Sequence, residues 1–321
     1  MLRSFLIYLS QAGWAQRMVT GWSFAWNVAS RFVAGETNEE AIAVVKELNA
    51  KGINATLDQL GEHTSRAEEA VQATEEILGI LDAIEESGVR AGVSIKLTQI
   101  GMGLDSTICR QNLRRILERA KEHGNFVRID IEDTPYTDIT IDAYNNMLEV
   151  GFTPETVGMA VQSYLYRAED DTRKMLETGT RFRLIKGAYK EPPNLAYPKK
   201  EDVDANFDLL TKILMDATLE NNFAKVSEDG RTPPIPAIAT QDDKRVEFAK
   251  QYAKKIDLDK DAFEFQMLYG IRRDLQEQLV AEGYQVRVYV PFGTQWYPYF
   301  MRRLAERPAN VWFFISNFFK K

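Results

Sequence analysis

The chain is poor in the residues that build metal centres and covalent cross-links. Its 321 residues include one cysteine, Cys109, and two histidines, His63 and His123. A single thiol excludes an intrachain disulfide and any cysteine metal cluster, and it fits a reducing compartment. Two histidines far apart in sequence offer no His-rich zinc site, so no metal is expected. No histidine-centred triad suggests itself either. Any demanding chemistry must then come from other side chains or from a bound cofactor. A basic surplus is also missing. The formal net charge is −7, which argues against a general nucleic-acid binder, because phosphate neutralisation needs a basic surface.

Long hydrophobic runs are absent as well. The N-terminus is apolar, with Leu2, Phe5, Leu6, Ile7, Trp14, Trp22 and Trp26, but its uncharged runs at 4–16 and 18–30 are 13 residues each and are divided by Arg17. A spanning helix needs roughly 20 apolar residues. No small-residue cleavage pattern follows 1–16. Residues 1–48 therefore read as an amphipathic helical arm packed on a main domain at 49–321. Near the other end, 308–319 carries Trp312, Phe313, Phe314, Ile315, Phe318 and Phe319 before Lys320 and Lys321. That run is too short to span a bilayer. A basic-ended amphipathic tail suits a membrane surface, and docking on the main domain or on another subunit suits it equally. The expected location is the cytoplasm, with peripheral contact at the inner face of the membrane left open.

What the sequence does contain, beyond residue 50, is a regular alternation. Strand-like runs fall at 54–57, 92–97, 126–131, 157–162, 182–186, 237–240, 263–268 and 286–290. Helical periodicity fills 106–122, 138–149, 169–177, 203–222, 242–255, 274–282 and 296–306, and a further long helix starts near Ser65, with Glu68 as its capping-box partner. Strict strand–helix alternation requires a parallel sheet, and eight units close into a (βα)8 barrel, with an open doubly wound sheet as the alternative. The Pro-rich stretch at 231–236 reads as a loop before the sixth strand. Gly101 and Gly103 are followed by Ser106 where a dinucleotide fingerprint needs a third glycine or alanine, so that motif fails.

In such barrels reactive groups sit where strands end and loops begin. Lys96, Asp130, Gln162, Arg183, Lys186, Thr240, Gln241 and Tyr289 all fall on or at the ends of these runs. Each alone suits an ion pair or a solvated edge; their convergence on one end favours a ligand site. After the eighth run come Tyr299, Arg302 and Arg303. Adjacent helical residues point about 100° apart, yet two long guanidinium forks can still meet on one carboxylate. A solvated basic face pairing with Glu306 is the plainer reading of the same two residues.

Six segments, taken in order, resemble the proline dehydrogenase family. They are Ser94-Ile95-Lys96-Leu97-Thr98, Arg128-Ile129-Asp130-Ile131-Glu132, Val161-Gln162-Ser163-Tyr164-Leu165, Arg183 to Tyr189, Phe263 to Gly270, and Tyr299-Phe300-Met301-Arg302-Arg303. The resemblance implies a distorted (βα)8 TIM-type barrel with a C-terminal substrate-capping helix and non-covalent FAD. It implies oxidation of L-proline to Δ1-pyrroline-5-carboxylate by hydride transfer to flavin N5, with a quinone as electron acceptor and a separate pyrroline-5-carboxylate dehydrogenase as partner. Asp130 and Arg183 match catalytic positions. Lys96, Arg302 and Arg303 match the carboxylate clamp, with Tyr289, Tyr299 and Leu184 walling the ring. Ile131, Gln162, Lys186, Gly187, Ala188, Thr240 and Gln241 match flavin contacts, and Glu62 matches a gate residue paired with the first arginine. One position departs: the family usually carries histidine where this chain has Gln241. Beside this reading stand a Schiff-base lyase using Lys96 or Lys186, a folate-reducing flavin barrel, and a non-catalytic amino-acid-binding protein.

Overall fold

The computed structural model describes residues 23–61, 64–220 and 225–306, together with residues 8, 9, 12 and 14. Eight strands form a closed parallel barrel in sequence order: β1 (Asn54–Gln59), β2 (Ala91–Ile95), β3 (Val127–Ile129), β4 (Val157–Gln162), β5 (Phe182–Ile185), β6 (Pro236–Ala239), β7 (Glu264–Leu268) and β8 (Gln285–Phe292). The ring closes through pairing of β1 with β8, where Ala55 lies opposite Val288 and Leu57 opposite Val290. β4 runs as the sequence suggests, and the ends of the other strands are shifted by a residue or two. Lys96 and Asp130 fall just past β2 and β3, but the Asp130 amide still donates to the Ile95 carbonyl at 2.9 Å, so the ladder continues one step into the loop.

Among the described residues, two helices precede the barrel, α1 (Ser23–Ala29) and α2 (Asn38–Ala50). Six follow the first strands in turn: α3 (Ala67–Ser87), α4 (Ser106–Glu122), α5 (Thr134–Glu149), α6 (Ala168–Leu176), α7 (Lys200–Glu220) and α8 (Asp243–Lys255). The last two described are α9 (Arg273–Ala281) and α10 (Trp296–Glu306). The expected capping box at Ser65 and Glu68 is displaced. Helix α3 begins only at Ala67, so the Ser65 amide and hydroxyl both reach Glu69 instead, at 2.8 and 3.0 Å. A complete box forms at α2, where Thr37 and Glu40 bond each other's backbone amides.

Strand alternation sorts the side chains into two populations. Leu57, Val93, Ile95, Val127, Ile129, Phe182, Leu184, Phe265, Val286, Val288 and Val290 face outward into one continuous apolar layer shared with the helices. The opposite face of the same strands carries Asp58, Ser94, Arg128, Arg183, Glu264, Gln266, Arg287 and Tyr289. Barrel interiors are usually filled by branched apolar residues; this one is polar and charged.

The ring of helices is also irregular, as a distorted barrel requires. Helix α2 packs on β1 and β8, in the place the helix after β8 would normally take, while α10 packs with α1. The arm–barrel boundary expected at residue 48 thus falls within α2, whose Ala41, Ile42 and Val45 belong to the barrel's apolar layer. Trp296, Tyr297, Tyr299, Phe300 and Leu304 of α10 share a second cluster with Ala25, Val28 and Ala29 of α1 and with Leu60 and Ile271. Leu60 directly follows β1 and Ile271 follows β7, so α10 is seated at the C-terminal mouth of the barrel.

Candidate active site

The barrel interior is a chain of hydrogen-bonded polar groups running from a closed floor to an open mouth. At the floor, Arg287 and Glu264 are fully buried and paired, with Arg287 Nε donating to both carboxylate oxygens at 2.9 and 3.1 Å. The same guanidinium donates to the carbonyls of Ala55 and Gly230, each at 2.9 Å, which ties the segment before β6 across the N-terminal end. Arg128 lies beside them, donating to the carbonyls of Met159 and Arg181 and stacked 4.8 Å from the centre of the Phe126 ring. Burial, followed by the neighbouring Arg183 charge, holds its guanidinium well below the usual arginine range.

One layer higher, Arg183 is held on three sides. Its Nε donates to Gln266 Oε1 at 2.6 Å, Nη1 to Asp130 Oδ1 at 2.5 Å and Nη2 to Ser94 Oγ at 2.9 Å. The guanidinium also lies over the Tyr289 ring, 5.0 Å from its centre. The Tyr289 hydroxyl donates to Asp130 Oδ2 at 2.9 Å and accepts from Lys96 Nζ at 3.3 Å. Burial and then the nearby Asp130 and Asp58 carboxylates push this phenol well above its usual range, so it stays protonated and donates. Lys96 in turn pairs with Asp58 at 2.9 Å and faces Asp130 at 3.7 Å.

Exposure rises along this chain. Glu264 and Arg287 are sealed, whereas the side chains of Lys96 and Asp130 are each 15% exposed. Ile185, Ala239 and Leu268, at the last turn of β5, β6 and β7, are likewise half-buried. The mouth therefore offers apolar walls beside an ordered set of charges, a combination suited to a small ligand with one charged end.

The structure thus joins Lys96, Asp130, Arg183 and Tyr289 in one network. A second group gathers at the ends of β4 to β6. Gln162 donates to the Glu132 carbonyl at 2.9 Å and accepts from the Ala188 amide at 3.1 Å. Gly187 has φ of +132° and presses on the Tyr164 ring, where an added Cβ would stand 2.5 Å from the nearest ring atom. Lys186 turns to the helical side and bonds Asp204 and Asp242 at 2.5 and 2.7 Å. Thr240 accepts from the Asp242 amide at 3.1 Å, and the Gln241 carbonyl lies 3.5 Å from Arg272 Nη1.

Other expected site residues lie apart from the network or contribute differently. Leu184 is on the opposite face of β5 from Arg183 and is wholly buried in the outer layer, as alternation demands. Ile131 is also a core residue. On α10, Tyr299 is buried in the second cluster, and the Arg303 guanidinium lies 5.1 Å from its ring centre. Arg302 and Arg303 are half-buried. Glu62 lies outside the described residues.

Three members of the network were not singled out from sequence: Asp58, Ser94 and Gln266. The signal was strand parity. Asp58 is in phase with Thr56 once β1 runs to Gln59, Ser94 with Lys96, and Gln266 with Glu264.

Comparison with known proteins agrees with this geometry. The family model described as proline dehydrogenase matches residues 41–315. Proline dehydrogenase 1 of Bacillus subtilis (strain 168) is 40% identical, with 100% of both chains covered. The proline dehydrogenase of Deinococcus radiodurans is 40% identical over 92% of this chain and 91% of its own. Among solved structures, proline utilization A from Bdellovibrio bacteriovorus, inactivated by N-propargylglycine, superposes with a TM-score of 0.78 at 24% identity. That match covers 88% of this chain and 33% of the longer one, and at such identity it speaks to the barrel fold. On its residues, its fold and its full-length relatives, the chain belongs to the proline dehydrogenase family.

Proposed function

We propose that the chain oxidises L-proline to Δ1-pyrroline-5-carboxylate, using non-covalent FAD at the barrel mouth and passing the electrons to a quinone. The observation that carries this is the joined set Lys96, Asp130, Arg183 and Tyr289 at the mouth of a family barrel. The groups at the ends of β4 to β6 suit a flavin: the Gln162 amide, the Thr240 hydroxyl, the Lys186 ammonium and an exposed backbone at Gly187 and Ala188 offer both donors and acceptors. Gly187 supports this reading because a side chain there would collide with Tyr164, so the loop can lie only as a bare backbone surface. Bound there, FAD supplies the hydride-accepting capacity that the side chains lack.

The protein's own share is position and charge. Lys96, with Arg302 and Arg303 from α10, would hold the substrate carboxylate, and like-charge repulsion among them disfavours an ammonium on the adjacent ring nitrogen. Tyr289 and Tyr299 would wall the ring, which fixes the carbon beside nitrogen for transfer. Arg183, anchored on three sides, would offer a fixed positive charge to the reduced cofactor. Asp130 aligns Arg183 and Tyr289 and so acts on both. Glu62 would gate the site through Arg302. The Schiff-base alternative is disfavoured because Lys96 is an ion-pair partner of Asp58, not a lysine in an apolar pocket.

We further propose an arm at 1–48 ahead of the barrel domain, and a separate pyrroline-5-carboxylate dehydrogenase as consumer of the product. No described helix is long and apolar enough to cross a membrane. The deciding experiment is an absorbance spectrum of the purified protein before and after anaerobic L-proline. A flavin spectrum that bleaches on proline is expected, with all colour released on denaturation. A protein that cannot be reconstituted with FAD would overturn the reading.

A further inference from the structure

We propose that Gln266 is a positioning residue that orients Arg183 and keeps the charge of Glu264 away from it. The inference rests on the reading that Arg183 serves the flavin. Four buried groups stand in line: Arg183, Gln266, Glu264 and Arg287, none more than 5% exposed. Strand alternation sets the order, because Glu264 and Gln266 are two residues apart on the inner face of β7, which lies between β6 and β8; Arg287 comes from neighbouring β8 and Arg183 reaches across from β5, one strand beyond β6. Gln266 Oε1 accepts from Arg183 Nε at 2.6 Å, while its Nε2 donates to Glu264 Oε1 at 2.5 Å. Glu264 then accepts from Arg287.

The two contacts leave the amide one orientation. A guanidinium can only donate and an ionised carboxylate can only accept, so the amide oxygen must face Arg183 and the amide nitrogen must face Glu264. Neither an isosteric carboxylate nor an apolar chain satisfies both. A glutamate would meet Glu264 at hydrogen-bond distance as a second anion, and it would also place Arg183 between two carboxylates, itself and Asp130. The amide instead lets the guanidinium be anchored through Nε by a neutral group. Among the described residues its charge is then partnered by the Asp130 carboxylate, at the mouth, where an anion would be met. Three of its five N–H donors are committed among the described residues, and the direction of the fork is fixed.

This arrangement allows a test by exchange. In the double variant Gln266→Glu/Glu264→Gln, the new glutamine can accept from Arg287 and donate to the new glutamate, which accepts from Arg183. The hydrogen-bonded line and its net charge are kept, but the anion moves one step towards Arg183. Each single variant should lower the melting temperature and the exchange should restore most of it. At an effective dielectric of about 20, bringing an anion that much closer is worth about tenfold. The ratio of reduced to oxidised flavin at a fixed potential should therefore fall about tenfold, or about 30 mV for a two-electron couple. If the exchange restores stability and leaves the midpoint potential at the wild-type value, the proposed insulation is wrong.

Gln266→Met keeps the side-chain volume without either hydrogen bond and covers the case in which the exchanged protein does not fold. Solvent exchange of the Arg183 Nε–H, followed by NMR on protein without flavin, should quicken at least tenfold in this variant. Unchanged exchange would refute the positioning role. If the wild type bound no FAD, the flavin reading would fail, while this exchange measurement would still decide the role of Gln266.

Discussion

Tyr289→Phe separates a hydroxyl from the ring that carries it. The ring lies under Arg183, and phenylalanine retains that contact. The hydroxyl, by contrast, makes two bonds to charged partners, donating to Asp130 at 2.9 Å and accepting from Lys96 at 3.3 Å. Bonds of this kind are worth about 1.5–3 kcal/mol each. Both partners keep a second anchor, Arg183 for Asp130 and Asp58 for Lys96. The net loss should therefore approach the value of one bond, about 1.5–3 kcal/mol, which is a tenfold to roughly hundredfold fall in kcat/KM for proline at 1.36 kcal/mol per decade. Steady-state kinetics with an artificial electron acceptor measures it. The flavin content should be unchanged, since the hydroxyl's partners are Asp130 and Lys96. A variant within threefold of wild type would show that Asp130 and Lys96 hold their places without the phenol, and the network would lose its proposed role.

Asp58→Asn tests the pH dependence. Burial lifts this carboxyl above its usual range, with Lys96 only partly opposing the rise. A raised acid stabilises the fold fully below its unfolded pKa, and that contribution is lost as pH rises through the folded value. The variant should therefore lose less stability than wild type as pH rises above about 4, and parallel melting curves would refute the assignment. Cys109 is fully buried, and burial pushes its thiol up to about 12; thiol reagents at pH 8 should label it only after unfolding, and fast labelling of native protein would contradict the packing. Arg302→Lys and Arg303→Lys keep charge but lose the planar fork, so kcat/KM for proline should fall about ten- to hundredfold with normal flavin content. Normal proline kinetics in both would make the pair a solvated face.

The fold was legible because its signal is repeated. Eight apolar runs, each followed by a helical period, require a parallel sheet and favour its closure into a barrel over an open doubly wound sheet, and errors of one or two residues at strand ends do not alter the count. Those same small errors matter at the site. Ending the first run at Leu57 hid Asp58, although the next residue in phase with Thr56 was a charged one. Leu184 was assigned to the substrate by resemblance, yet it alternates with Arg183 and so faces the helices. Gln266 was visible inside a motif but unremarkable, because nothing in a sequence says that a glutamine stands between an arginine and a glutamate from successive interior layers. Lys186 appeared as one more strand-end cation. Its partners, Asp204 and Asp242, come from the start of α7 and the N-cap of α8, and sequence spacing does not relate them.

The charge balance inside the barrel bears on what the mouth can hold. Four cations, Lys96, Arg128, Arg183 and Arg287, share the described interior with three carboxylates, Asp58, Asp130 and Glu264. Burying such groups is expensive, and a packed apolar interior of the same volume would often be more stable. Each carboxylate is already engaged by at least one cation, while among the described residues Arg128 meets backbone carbonyls and the Phe126 ring but no carboxylate at salt-bridge distance. The surplus among these seven groups is therefore positive. An anionic group entering at Lys96 would bring the interior towards neutrality, whereas a ligand with a free ammonium and no carboxylate would increase the surplus. Such a balance supports the proposed binding of a carboxylate substrate. Its cost in stability supports the role proposed for the polar chain in the reaction.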